Sequence, residues 1–441
     1  MTGKKNRNTI HYFILGSAIL LILILLFIPG ISRNKYSQET KPDTIPTKAL
    51  HPVVNKYLEF LDSYLDSTRN VGAALTIVYK GETQVTRTYG VREAGTHDSI
   101  NVHTVFRLAS VSKGFAGVLA CMLENKGILS LDDKVKKYLP GFELKDSVNT
   151  HDLTLKHILS HTSGLVPHAY DNLIEDGVPM SQIIRQLETV DISAPPGVLY
   201  GYQNVIFSLL DTITQLKTGS TYEDLLLKYI FVPLKMKQAS ASDKIFHRKR
   251  GNYAHPHGRM DSSYIPLPVN TRYYNIAPAA GVNASIEDMN KWLLALLGNN
   301  LQVMDSSILE KIKTPVIVSP LKRRYTRYWD VIDSKYYSLG WRIYQYKGYK
   351  IVYHGGYVQG YRTEIAFCPE EQVGLVFLQN SPNRIASMCV PVFFDLWSSY
   401  ADLSKEDTLI YPPIPEINFL DDSFYYLDEI PQLSPEVFSI P

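Results

Sequence analysis

The sequence predicts an α/β fold of the α+β kind: one antiparallel sheet assembled from both chain ends, flanked by helices, with a helical lobe inserted in the middle. Three observations point there. Residues 73–93 (AALTIVYKGETQVTRTYGVRE) read as two strands joined at Lys80-Gly81. Residues 338–381 hold four further short stretches of strand character, SLGWRIYQY, KIVYHGG, RTEIAFCP and VGLVFLQNS. Between about Thr104 and Gly298, apolar residues recur at helical spacing instead. A site for chemistry would lie between lobe and sheet.

In chain order, Lys4, Lys5 and Arg7 precede a segment, His11 to Ser32, without Asp, Glu, Lys or Arg. A spanning helix needs about 20 apolar residues, a cleavable signal only about 7 to 15 before a small-residue site. No A-x-A follows, so residues 1–32 are read as an uncleaved transmembrane signal anchor in preference to a cleaved signal peptide. The basic flank then stays in the cytoplasm and the rest lies outside. Residues 33–50, polar and Pro-containing, form a linker. The folded domain spans 51–400. It opens with a helix (VNKYLEFLDSYL) and the hairpin, and continues with helices Gly114 to Asn125, Thr154 to Ser160, Met180 to Leu187, Tyr222 to Phe231 and Ser285 to Leu297. Ser130 and Ser285 each open an [ST]-x-x-[DE] box, with Asp133 and Asp288, and are assigned to helix caps. Lys347-Gly348, the Gly-rich 355–360 segment and Glu370-Glu371-Gln372 separate the late strands, and a helix from Ile385 to Tyr400 closes the domain. The tail, 401–441, is rich in Pro, Tyr and acidic residues and has no period.

Composition excludes several classes of function. Lys and Arg number 45 against 43 Asp and Glu, and a net charge of +2 provides no field for nucleic acid. Three scattered cysteines, Cys121, Cys368 and Cys389, make neither a disulfide framework nor a zinc cluster, and read as buried thiols. His157 and His161 stand at i, i+4, but no acidic partner in a metal-site context follows, and His255-Pro256-His257 has no further ligand pattern. These residues call for no metal site. No G-x-S-x-G occurs, which argues against an α/β-hydrolase.

Three short constellations carry chemistry. Ser110-Val111-Ser112-Lys113 precedes a helical segment, and residues three apart share a helix face. A serine hydroxyl needs a base, and a lysine whose pKa is depressed by burial supplies one. Tyr202-Gln203-Asn204 offers a phenol for proton relay and an amide that accepts from a lysine while donating to a substrate carbonyl. His354-Gly355-Gly356-Tyr357 sits at the end of a predicted strand, where two glycines admit a substrate backbone and the next amide faces a developing oxyanion.

In this order and spacing the three motifs resemble the serine β-lactamase and penicillin-binding protein superfamily, specifically its class C β-lactamase-like branch. LTLKHILSHTSGL (153–165), PPGVLYGYQN (195–204), APAAGVNASIEDMNKWL (277–293) and SLGWRIY (338–344) extend the likeness to about residues 50–400. The resemblance implies a β-lactamase/transpeptidase-like fold and acyl transfer through a serine ester, without metal or cofactor, on a small-molecule or peptide substrate. It implies Ser110 as nucleophile, Lys113 and Tyr202 as proton-transfer partners, Asn204 as the orienting amide, and an oxyanion hole from the N–H groups of Ser110 and Tyr357. His354 departs from the lysine that the family's β-lactamases usually carry there, which favours an esterase or peptidase over a β-lactamase or D,D-carboxypeptidase. On this reading a lysine at 354 would improve β-lactam binding, and Arg362 is an alternative receptor for a substrate carboxylate. The rival of another class is a silent penicillin-binding scaffold.

Overall fold

The computed structural model describes residues 50–248, 251–261, 263–320 and 326–403. The anchor, nearly all of the linker and the tail beyond residue 403 lie outside them. Among the described residues no helix is long and apolar enough to cross a membrane.

Twelve strands are described: β1 (Gly72–Tyr79), β2 (Glu82–Gly90), β3 (Val105–Arg107), β4 (His257–Met260), β5 (Ser263–Pro266), β6 (Asn283–Ser285), β7 (Ile317–Val318), β8 (Ile332–Tyr337), β9 (Arg342–Tyr346), β10 (Tyr349–Val358), β11 (Tyr361–Cys368) and β12 (Val373–Gln379). Eight form one sheet in the order β2-β1-β12-β11-β10-β9-β8-β7, every neighbouring pair antiparallel. The N-terminal hairpin therefore joins the C-terminal meander through β1 and β12, with Ala73 opposite Gln379 and Tyr79 opposite Val373. The sheet is built from both ends of the chain, as expected.

Both of its faces are covered, so its inner strands are continuous apolar runs; every residue of β12 is buried. One face packs against the helices Pro52–Ser67 and Ile385–Leu403, where Val54, Leu61, Phe393 and Trp397 join Leu75, Ile77, Leu375 and Phe377 in one core. The other packs against the lobe, whose central helix, Ser112–Asn125, is buried on all sides over twelve of its residues. Gly114 lets that helix press on the Trp341 ring, where a Cβ would stand 2.4 Å from it. Phe115 stacks on Trp292 at 4.0 Å.

Several sequence expectations are corrected. Ser285 caps the Ile286–Leu296 helix in a reciprocal box with Asp288, but Ser130 caps no helix: its N–H donates to Asp133 at 2.9 Å within a turn. The Tyr222 segment is α-helical only to Leu226 and then widens into a π-turn over Leu227–Phe231. The segment 355–360 does not separate strands over its whole length. β10 continues through Gly355 and Gly356 to Val358, and only then turns. The helix Leu209–Thr218 and strand β8 were not anticipated.

Candidate active site

The short stretch that delivers Ser110 is strained. Ala109, a non-glycine residue, holds φ at 47°, and Ala109–Val111 form a single 3-10 turn ahead of the Ser112–Asn125 helix. Both ends of that turn are pinned: the Val282 N–H donates to Ser112 Oγ at 2.9 Å, and the Leu108 N–H to the Val282 carbonyl at 2.9 Å. Ser110 stands half-buried at the lobe surface, and Lys113, one helical turn on, is completely buried beneath it.

Lys113 Nζ donates to Asn204 Oδ1 at 2.7 Å and to the Ala279 carbonyl at 3.0 Å, and lies 3.4 Å from Ser110 Oγ. Tyr202 reaches the same serine oxygen at 2.9 Å, its ring 4.7 Å from the lysine nitrogen. The first two motifs thus converge on Ser110 Oγ from two sides. Burial holds the Lys113 pKa well below the ordinary lysine value; the Asp171 carboxylate opposes that fall and the Arg342 guanidinium adds to it. Tyr202 is pushed the other way: burial raises its phenol pKa, against the Arg342 charge and the Ser110 hydrogen bond. Burial thus disfavours the charged form of both groups, the lysine ammonium and the tyrosine phenolate.

The third motif arrives on β10. His354 and Gly356 alternate onto the lobe face, Gly355 onto the other. At Gly356 the strand touches the Ser110 turn so closely that a Cβ would lie 2.3 Å from the Leu108 carbonyl and 3.1 Å from the Ser110 nitrogen. Gly356 therefore lets Tyr357 come alongside Ser110. The partner strand β9 ends opposite Tyr353, so from His354 to Val358 the β10 ladder runs with β11 only.

His354 is buried and its tautomer is set by its partners. Nδ1–H donates to the Gly355 carbonyl at 2.8 Å, which leaves Nε2 to accept from Tyr337 Oη at 3.1 Å. Burial holds its pKa well below the usual histidine value, and the Arg342 and Lys113 charges add to the fall. The ring is a neutral structural link between β8 and β10. A lysine at 354 would place a buried cation beside the Arg342 guanidinium, a cost that weighs against the expected gain in β-lactam binding. Arg362 is also engaged elsewhere, its Nε donating to Glu364 at 3.0 Å.

Three neighbours of the site lie outside the three motifs. Arg342 lies with its guanidinium 5.7 Å from the Tyr202 ring centre and 5.9 Å from that of Tyr337. His161, fully buried, accepts from the Gln203 N–H through Nδ1 at 3.1 Å and packs 4.3 Å from the Tyr202 ring. It is a prop for the second motif. His157, its supposed metal-site partner, closes the capping box of Thr154 instead. The third neighbour is Asp171, which accepts from Asn204 Nδ2 at 2.8 Å. Cys121, Cys368 and Cys389 are buried and unbridged, and His257 joins the Asn380 carbonyl to the Ala94 N–H. Among the described residues no group of His, Cys, Asp and Glu is arranged to hold a metal ion.

A family model described as Beta-lactamase matches residues 59–391, the whole span over which this site is assembled. The chain belongs to the Beta-lactamase family. Its helices and antiparallel sheet have the family's β-lactamase/transpeptidase-like arrangement. Among curated relatives, the Beta-lactamase of Yersinia enterocolitica is 26% identical, over 71% of this chain and 84% of its own length. Unguisins hydrolase ungD' of Aspergillus campestris is 26% identical over 75% of this chain and 62% of its own length. Protein flp of Staphylococcus aureus strain MW2 is 24% identical over 70% of this chain and 59% of its own. The chain thus spans less than two thirds of the length of two of the three. A solved structure, the octameric penicillin-binding protein homologue from Pyrococcus abyssi, superposes with a TM-score of 0.65 at 22% identity, over 80% of this chain and 82% of that one, which supports the fold.

Proposed function

We propose that this Beta-lactamase-family chain hydrolyses an ester or amide bond of a small molecule or peptide through an acyl-Ser110 intermediate, as an esterase or peptidase. The observation that carries the reading is the convergence of Lys113 Nζ and Tyr202 Oη on Ser110 Oγ, at 3.4 and 2.9 Å, with the lysine pKa depressed. In acylation Ser110 Oγ attacks the substrate carbonyl carbon and its proton passes to the neutral Lys113 amine. The carbonyl oxygen takes the negative charge and accepts from the N–H groups of Ser110 and Tyr357, each such donor worth about 3–4 kcal/mol of barrier. Collapse expels the alcohol or amine, which takes a proton from the Tyr202 phenol; the Lys113 ammonium returns one to Tyr202. Water repeats the cycle on the ester and frees the acid. The electrostatics support Lys113 as the base and Tyr202 as the relay. Asn204 uses one amide hydrogen on Asp171 and keeps the other for the substrate.

A neutral His354 leaves the third motif without a cation for a β-lactam or terminal carboxylate, which favours an esterase or peptidase over a penicillin-directed enzyme. The charge-free segment from His11 to Ser32, behind Lys4, Lys5 and Arg7, supports reading residues 1–32 as an anchor that tethers the catalytic domain on the outer side of a membrane. Its test is protease accessibility in intact cells against lysed ones.

The activity is tested by intact-mass spectrometry of the full-length protein in detergent after a fluorophosphonate and, separately, a labelled penicillin. The wild type is expected to gain one adduct from the fluorophosphonate and less from penicillin, and Ser110→Ala neither. Stronger labelling by penicillin would reverse the ranking, and no adduct from either reagent would leave the silent scaffold.

A further inference from the structure

The lysine at the centre of this mechanism is a buried base, and a buried base needs something to hold its pKa within a useful range. Desolvation alone drives it down, and the neighbouring Arg342 guanidinium drives it further. Lys113 also faces His161, His354 and the Tyr202 phenol, none of which supplies negative charge at neutral pH. The compensating charge comes from another element. Asp171 opens the short helix Asp171–Glu175. Its Oδ2 accepts from Asn204 Nδ2 at 2.8 Å, and Asn204 Oδ1 accepts from Lys113 Nζ at 2.7 Å. The chain Lys113, Asn204, Asp171 is thus continuous, and it fixes the amide of Asn204 the right way round: a carboxylate accepts only, so Nδ2 must face it and Oδ1 must face the lysine.

On its outer side the same Oδ2 lies 2.8 Å from Nδ1 of His168, whose side chain is 57% exposed while that of Asp171 is 24% exposed. The His168 N–H in turn donates to the Tyr202 carbonyl at 2.8 Å, and its ring lies 5.3 Å from the Tyr202 ring. Asp171 Oδ1 is buried and has no hydrogen-bond partner. A carboxylate with one buried, unsatisfied oxygen is a cost that helix formation does not require.

We infer that Asp171 is a positioning residue for acylation: it orients Asn204 between lysine and substrate, and it sets a negative charge behind that amide, on the side of Lys113. The other groups facing Asp171 are His168, Glu175, Tyr202 and Tyr273, and those facing Lys113 are Arg342, His161, His354 and Tyr202.

The inference rests on the acyl-serine reading and is tested on the full-length protein by the rate of fluorophosphonate labelling as a function of pH. Asp171→Asn removes the charge and keeps the shape. Labelling is expected to slow by about 10- to 100-fold, up to the lower bound of a full proton-transfer defect, because the base itself remains. Its acid limb is expected to move down by about one pH unit, because Lys113 loses the field that opposed its depression. A merely structural role would slow labelling or lower Tm without moving that limb, so an unmoved limb overturns the inference, as does labelling within about twofold of wild type. Asp171→Glu keeps the charge and displaces Asn204: the limb should stay with wild type while labelling slows at least about fivefold. Should Asp171→Asn fail to fold, labelling of Asp171→Glu at the wild-type rate overturns the inference by itself. Failure of the underlying reading looks different, since the wild type would then take up no reagent at all.

Discussion

The two faces of the large sheet are built to opposite specifications. The face under the helices Pro52–Ser67 and Ile385–Leu403 is packed with aromatic and branched side chains. Phe393 sits there without exposure, 5.2 Å from Tyr57 and 5.9 Å from Trp397 between ring centres. The face under the lobe buries Lys113, His161 and His354 around Ser110, and it leaves His161 Nε2, Asp171 Oδ1 and Arg342 Nη1 without hydrogen-bond partners. Buried polar groups of that kind cost about 1–3 kcal/mol each. One face therefore stores stability and the other spends it on a strained, desolvated site, and β10 belongs to both because its residues alternate between them. The difference predicts that substitutions on the two faces will separate stability from activity.

The largest effect is expected on the lobe face. Lys113→Ala should slow acylation by about 10³- to 10⁴-fold, equivalent to about 4–5.5 kcal/mol of barrier. It should also abolish the acid limb of the pH–rate profile. The sign follows from the depressed pKa: wild-type labelling rises with pH as the Lys113 ammonium loses its proton, at a pH well below the ordinary lysine value, whereas a chain without the amine has no such step. Stopped-flow acylation across the pH range checks both. If the alanine variant retained the limb, another group would be the base.

On the opposite face, Phe393→Ala should remove about 3–5 kcal/mol of stability by opening a cavity in the apolar layer. Denaturant unfolding measures the loss. The labelling rate per folded molecule should stay at the wild-type value, and a parallel fall in that rate would mean that the two faces are coupled through the sheet.

The same division explains what could be read from the sequence. Alternating or continuous apolar strands at both chain ends betray the sheet, because burying one or both faces imposes the pattern. Ser110-x-x-Lys113, Tyr202-x-Asn204 and His354-Gly355-Gly356 were legible because each is a compact motif. Their convergence on one oxygen was not, since it depends on how the lobe folds over the strand. Two adjacent glycines signalled the end of β10, yet the strand runs through them: the space a Cβ would need is filled at Gly356 by Leu108 and Ser110, and at Gly355 by Glu364 and Tyr353. The helix Leu209–Thr218 is amphipathic but rich in Thr, which weakens its signal. Asp171 carries no local pattern, and Arg342 stands out only as part of the SLGWRIY block. Only tertiary contact brings them to Lys113, so only coordinates reveal them.

The smallest effect concerns a buried charge on the stabilising face. Glu364 is completely buried opposite Gly355, directly behind the strand that flanks the nucleophile. It accepts from Tyr353 Oη at 2.7 Å and from Arg362 Nε at 3.0 Å, so its charge is matched by a guanidinium whose side chain is 21% exposed. Glu364→Gln keeps the volume and leaves an amide oxygen for Tyr353, but it exchanges a charge-assisted bond to Arg362 for a neutral one. Part of that arginine's loss is returned by water, so the expected cost is about 1–2 kcal/mol of stability, read as a shift in denaturant midpoint at constant m. Because the cluster touches neither Ser110 nor its partners, acylation should change by less than about threefold, under 1 kcal/mol of barrier. A larger fall in rate than in stability would place Glu364 among the groups that set the position of β10 at the nucleophile, and the boundary between the two faces would then run behind the strand rather than through it.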